Sequence, residues 1–164
     1  IKETVDESLG KKNEETPKAT VEIKVDAYIG DEYIPSETVK FATYRRISDI
    51  SDKEGMLDMI DELKDRFGAV PQSVINLLNI AYIRNLAGKT GVSVIKEDGG
   101  NTVLIYPKPD IEKITRTTGE FNNRCLITAG KSFAVQLKTK GMHDRERIEF
   151  LIDYLEFFQG LIDS

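Results

Sequence analysis

Apolar and polar positions change period several times along this chain, and each change marks a structural element. Val21, Ile23 and Val25 alternate with Glu22, Lys24 and Asp26, the period of a half-buried strand. Tyr33-Ile34-Pro35 closes that region, because proline disfavours helix at the residue before it. Ser36 then stands as N-cap of a helix ending near residue 51, with Phe41, Tyr44 and Ile47 on one stripe. A second helix starts near residue 53, buries Met56, Ile60, Leu63 and Phe67, and stops at Gly68. Its opposite face carries Asp58, Asp61, Glu62 and Asp65. Pro71 opens a third helix in which Val74, Leu77, Leu78, Ala81, Ile83 and Leu86 cover more than half the circumference, which predicts a central position.

The second half turns to strands. Residues 92–96 and 102–106 flank Asp98-Gly99-Gly100-Asn101, a hairpin signal whose glycines permit positive φ. A short helix follows Pro109 over residues 109–117. Residues 124–128 and 133–138 flank Ala129-Gly130-Lys131-Ser132, a second hairpin. Gly141 breaks the chain before a last helix over residues 143–158. The pattern predicts an α+β fold, with helices packed on a small, mostly antiparallel sheet built from the two hairpins and the N-terminal strand. Ahead of it, Ile1, Val5 and Leu9 keep helical spacing, and the polar stretch 11–18 follows. Residues 1–19 are therefore expected to be the end of an upstream helix and a linker, and residues 20–164 the domain proper.

Composition narrows the function. A chain of 164 residues with 40% hydrophobic content can build one core unaided. A formal charge of −5 removes the long-range attraction to phosphate on which nucleic-acid-tracking domains rely. The single cysteine, Cys125, excludes an internal disulfide framework and fits a reducing compartment, and no apolar run approaches membrane-spanning length. The expected location is the cytoplasm.

Candidate chemistry is thin. Gly88-Lys89-Thr90 and Gly130-Lys131-Ser132 match the end of a phosphate-binding loop, which needs a further glycine where Ile83 and Cys125 stand. A helix end and a hairpin turn account for both. Cys125 and His143 would make a nucleophilic dyad only by meeting across the fold, and Cys125 shares strand parity with Ile127, which suits a small buried hydrophobe. The acidic face of the second helix is a wall of charge without the second element that a cation cage requires, leaving a solvated face or a basic protein partner. No cofactor, metal or catalytic constellation is expected. In the last helix Ile148, Leu151, Ile152, Leu155 and Phe158 form one stripe, while Phe150, Tyr154, Phe157 and Leu161 form a second. Either the domain covers both stripes or the second meets a partner.

Three runs carry a family resemblance: Tyr44-Arg45-Arg46-Ile47; Glu62-Leu63-x-Asp65-Arg66-Phe67-Gly68-x-x-Pro71; and Leu77-Leu78-x-Ile80-Ala81-x-x-Arg84-x-x-Ala87-x-x-x-Gly91-Val92. Together they resemble the C-terminal domain of the bacterial transcription-repair coupling factors. Those proteins are ATP-driven DNA translocases that push stalled RNA polymerase off damaged template and recruit nucleotide-excision repair. The resemblance implies a non-catalytic, autoregulatory domain lying outside the motor. It would pack against the amino-terminal repair-recruitment module of its own polypeptide and mask the surface that binds the damage-recognition ATPase, UvrA. It further implies that Glu62 and Asp65 are the interdomain contacts, supported by Asp58 and Asp61. An alternative is a nucleic-acid-binding accessory module using Arg45, Arg46, Lys138 and Lys140.

Overall fold

The computed structural model describes residues 17–164. Strand β1 (Thr20–Glu22) is followed by helices α1 (Glu37–Ser48), α2 (Lys53–Phe67) and α3 (Gln72–Lys89). Hairpin strands β2 (Val94–Asp98) and β3 (Asn101–Ile105), helix α4 (Ile111–Glu120), strands β4 (Cys125–Ala129) and β5 (Phe133–Leu137), and helix α5 (Asp144–Asp163) complete the chain. The α+β class and the order of elements match the pattern of apolar positions.

Helices α1 to α4 each begin where a short polar side chain or a proline sets the first turn. Ser36 Oγ accepts from the Val39 amide at 3.2 Å, Asp52 Oδ1 from Gly55 at 2.8 Å, and Asp110 Oδ1 from Lys113 at 3.2 Å. Pro71 is the N-cap of α3, and the His143 amide donates to Glu146 Oε1 at 3.2 Å to open α5.

The sheet runs β1-β2-β3-β5-β4, with β1 parallel to β2 and every other pair antiparallel. Gly99 and Gly100, at φ 61° and 91°, form the two-residue turn between β2 and β3 that L side chains would strain. Register places Val21, Ile95, Leu104, Val135 and Ile127 in one apolar row across all five strands. Its three central members are fully buried, and the helices cover this face. On the other face the row Glu22, Lys96, Val103, Gln136 and Leu126 points outward.

Helix α3 holds the centre. Val74, Leu78, Ala81, Tyr82, Ile83, Leu86 and Ala87 are all buried, in line with the wide apolar stripe. Its end is crossed by the incoming chain. A Cβ on Gly88 would lie 1.8 Å from the Pro17 carbonyl oxygen, so only glycine fits there. The Ala19 amide donates to the Arg84 carbonyl at 3.0 Å, and Ala19 is buried. The packed unit thus takes in residues that a boundary after residue 19 assigned to the linker, while residues 1–16 of that segment lie outside the described residues.

One expectation about apolar stripes is corrected, and one of two alternatives is favoured. Phe41 is 66% exposed, because α1 turns Thr43 and Ile47 toward the core and leaves Phe41 on its outer side. The second stripe of α5 is not a free partner face. Phe150 and Tyr154 are buried, and Phe157 and Leu161 half-buried, because Phe121 at the end of α4 packs against that side. Its ring centroid lies 5.6 Å from Phe150, 6.0 Å from Tyr154 and 6.2 Å from Phe157. Burying such rings contributes about 1.5–3 kcal/mol each, which is why the chain folds over them. Helix α5 also runs to Asp163, beyond the expected end at residue 158. No helix among the described residues is long and apolar enough to cross a membrane.

Candidate functional site

The acidic face of α2 follows from helical geometry. Met56, Met59 and Leu63 are buried, so residues about half a turn away must face solvent. Asp58, Asp61 and Asp65 do so, at spacings of three and four, and among the described residues none of them forms an ion pair. Leu57, a residue the apolar stripe did not single out, is 50% exposed one turn before Asp61. The signal was available: Leu57 falls outside the Met56–Leu63 stripe, and a leucine in that position is either surplus or a contact.

Glu62 stands apart from the other three acids. It lies at the margin of the face, where α1 packs beside α2, and Arg46 grips it with Nη1 to Oε2 at 2.5 Å and Nη2 to Oε1 at 2.7 Å. Arg66 adds a longer contact, 3.5 Å, from one turn further along α2. The hydrogen bonds from Arg46 dominate and hold the Glu62 carboxyl below the usual carboxylate range, despite partial burial that opposes them. Arg66 also lies over the Phe67 ring, 4.8 Å from its centroid. In the described domain Glu62 is thus engaged by its own fold, whereas Asp65 is free.

The other candidate residues resolve into structure. Gly88 and Lys89 end α3, and Gly130 to Ser132 form the turn between β4 and β5, as the missing phosphate-loop glycine implied. Cys125 is half-buried in β4, and burial pushes its thiol up to about 11, with Arg124 and Lys138 offsetting only part of that. His143 caps α5 on the surface, and no hydrogen bond joins it to Cys125 among the described residues. No grouping of three or more His, Cys, Asp or Glu able to hold a metal ion occurs among the described residues.

Comparison with known proteins bears on the same elements. The profile of the TRCF domain family matches residues 23–116, from just after β1 through most of α4. A transcription-repair-coupling factor of Staphylococcus epidermidis is 37% identical over the whole chain, and one of Staphylococcus haemolyticus is 30% identical over 87% of it. The chain spans about 15% of the length of the first of these relatives and about 12% of the second. A crystal structure of the C-terminal domain of a transcription-repair coupling factor superposes with a TM-score of 0.84 at 21% identity, covering 90% of this chain and 96% of that one. The chain belongs to the transcription-repair-coupling factor family, and its described residues carry the fold of that C-terminal domain.

Proposed function

We propose that this domain is the non-catalytic, autoregulatory end of a cytoplasmic DNA translocase that removes stalled RNA polymerase and recruits nucleotide-excision repair. In this reading it docks on the amino-terminal module of its own polypeptide and masks the surface that binds UvrA. ATP chemistry would reside elsewhere in the parent protein. Family membership supports the parent's role, and the unpaired carboxylates of α2 support a basic docking partner.

The observation that carries the reading is the division of labour on α2. Glu62 is held by Arg46, so Asp65, Asp61 and Asp58 are the acids available to a partner. Keeping such a latch 99:1 closed takes about 2.7 kcal/mol. Exposed ion pairs contribute only ~0.2–1 kcal/mol each, so three of them reach that figure only at the top of their range. Leu57, half-exposed beside Asp61, supplies apolar contact on the same face. The accessory nucleic-acid reading is weaker, because Arg46, one of its four cations, is already neutralised by Glu62.

The test uses the full-length protein. Asp61→Lys with Asp65→Lys should open the latch and raise affinity for UvrA, with Leu57→Ser giving a smaller increase in the same direction. Unchanged affinity in both variants, with the fold intact by circular dichroism, would remove the autoregulatory reading. Tight, salt-dependent binding of duplex DNA to this domain would replace it with the accessory module.

A further inference from the structure

Arg45 and Arg46 are neighbours in sequence but point to different helices. One helical step rotates a side chain by about 100°, so while Arg46 turns to α2 and Glu62, Arg45 turns to α3. There it borders a cleft of about 340 Å³ between α1 and α3. Leu77, Ala81 and Arg84 of α3 line it together with Tyr44, Arg45, Ile47 and Ser48 of α1. Among the described residues neither Arg45 nor Arg84 forms an ion pair with a carboxylate, in a chain whose net charge is −5. Lys18 places a third cation beside one of the lining residues, its Nζ donating to the Ser48 carbonyl at 2.8 Å. Phe41, one turn before Arg45, is 66% exposed on the same side of α1.

We propose that this cleft is a docking groove for an acidic protein segment, seating an aliphatic side chain on Leu77 and Ala81 and carboxylates on Arg45 and Arg84. The physical case is complementarity of two kinds. A guanidinium that meets no carboxylate among the described residues is a ready site for a bidentate one, and here two of them border the same cleft. The floor between them is apolar, which rewards burial of a Leu- or Ile-sized side chain and offers nothing to a ribose-phosphate backbone. Phe41 extends the apolar contact past the end of the cleft, where an amphipathic helix would lay its next turn. The occupant is therefore an acidic amphipathic segment rather than nucleic acid. This surface lies on the other side of α1 from the Arg46–Glu62 fork, so it stands or falls independently of the α2 latch.

The experiment titrates the 164-residue chain against a fluorescein-labelled synthetic helical peptide bearing leucines four positions apart with glutamates beside them. The same peptide with glutamines replacing the glutamates, and a labelled 20-base-pair duplex DNA, serve as comparisons. Saturable binding of the glutamate peptide is expected, weakened about tenfold in the glutamine peptide and about tenfold by Arg45→Glu, as loss of one charge-assisted contact predicts. Phe41→Ala should weaken it about threefold, and amide shifts should move at Leu77 and Ala81. Lys138→Glu, in β5's outgoing chain, should leave it unchanged. Arg84→Glu is a second rim variant, and Arg45→Glu keeps the test valid if Arg84→Glu misfolds, because Arg45 is exposed. Absence of binding up to about 1 mM, equal affinity for the two peptides, indifference to Arg45→Glu, or displacement of the peptide by duplex DNA would each overturn the proposal.

Discussion

Arg46 of α1 and Glu62 of α2 meet as a two-point fork, Nη1 on Oε2 and Nη2 on Oε1, and so tie the acidic helix to its neighbour. The pair is half in solvent, which limits its energy and not its geometric role. Arg46→Ala should lower stability by ~0.2–1 kcal/mol, measured by urea denaturation. Because hydrogen bonding to Arg46 lowers the Glu62 pKa in the folded state, the contribution is present above the ordinary carboxylate pKa of about 4.3 and is lost as pH falls through the lowered value. The wild-type and Arg46→Ala unfolding midpoints should therefore converge in acid.

The buried hydroxyls of Tyr106 and Tyr154 lie 2.9 Å apart and are each other's partner. Removing one strands the other, which costs about 1–3 kcal/mol, whereas removing both leaves two satisfied rings. Tyr106→Phe and Tyr154→Phe should each destabilise the domain, and the double variant should lose clearly less than the sum. An additive double-mutant cycle would show that the two hydroxyls do not depend on each other.

Gly88→Ala drives a methyl group into the Pro17 carbonyl. The incoming chain must lift off α3, at a cost of about 1–3 kcal/mol. Thermal unfolding should register the loss, and the Ala19 amide, bonded to the Arg84 carbonyl in the wild type, should exchange its hydrogen faster.

Cys125 should react slowly with a thiol-alkylating reagent at neutral pH, since burial raises its thiol to about 11. The rate should climb roughly tenfold per pH unit until near that value. The same shift has a stability consequence. A thiol whose folded pKa exceeds the unfolded value of about 8.5 contributes fully below 8.5 and progressively less as pH rises toward 11. Rapid labelling at pH 7 that Arg124→Ala abolishes would reverse this picture.

Local chemistry made much of the fold readable in advance. Ser36, Pro71 and the Gly99-Gly100 turn each allow few backbone conformations, so they announced their elements from sequence. The acidic face was readable for the same reason, because helical period is local. What remained hidden depended on neighbours far apart in the chain. Glu62 looked like its acidic companions until α1 brought Arg46 to it, sixteen residues away in sequence. Whether the second stripe of α5 was covered could not be read from its period, because Phe121, the residue that closes over it, comes from the end of α4. Phe41 looked buried because three apolar residues suggest a stripe, yet Thr43, bonded through its hydroxyl to the Val39 carbonyl, took the inward position.

Residues 18–22 meet the rest of the domain through bonds to three separate elements. Lys18 holds the end of α1, Ala19 holds α3, and Thr20 to Glu22 hold β2 in register. Displacing this segment would therefore break contacts with two helices and the edge of the sheet together. Residues 18–22 thus form a three-point clamp, and the Gly88 crossing, where the Pro17 carbonyl leaves no room for a Cβ, is its closest approach.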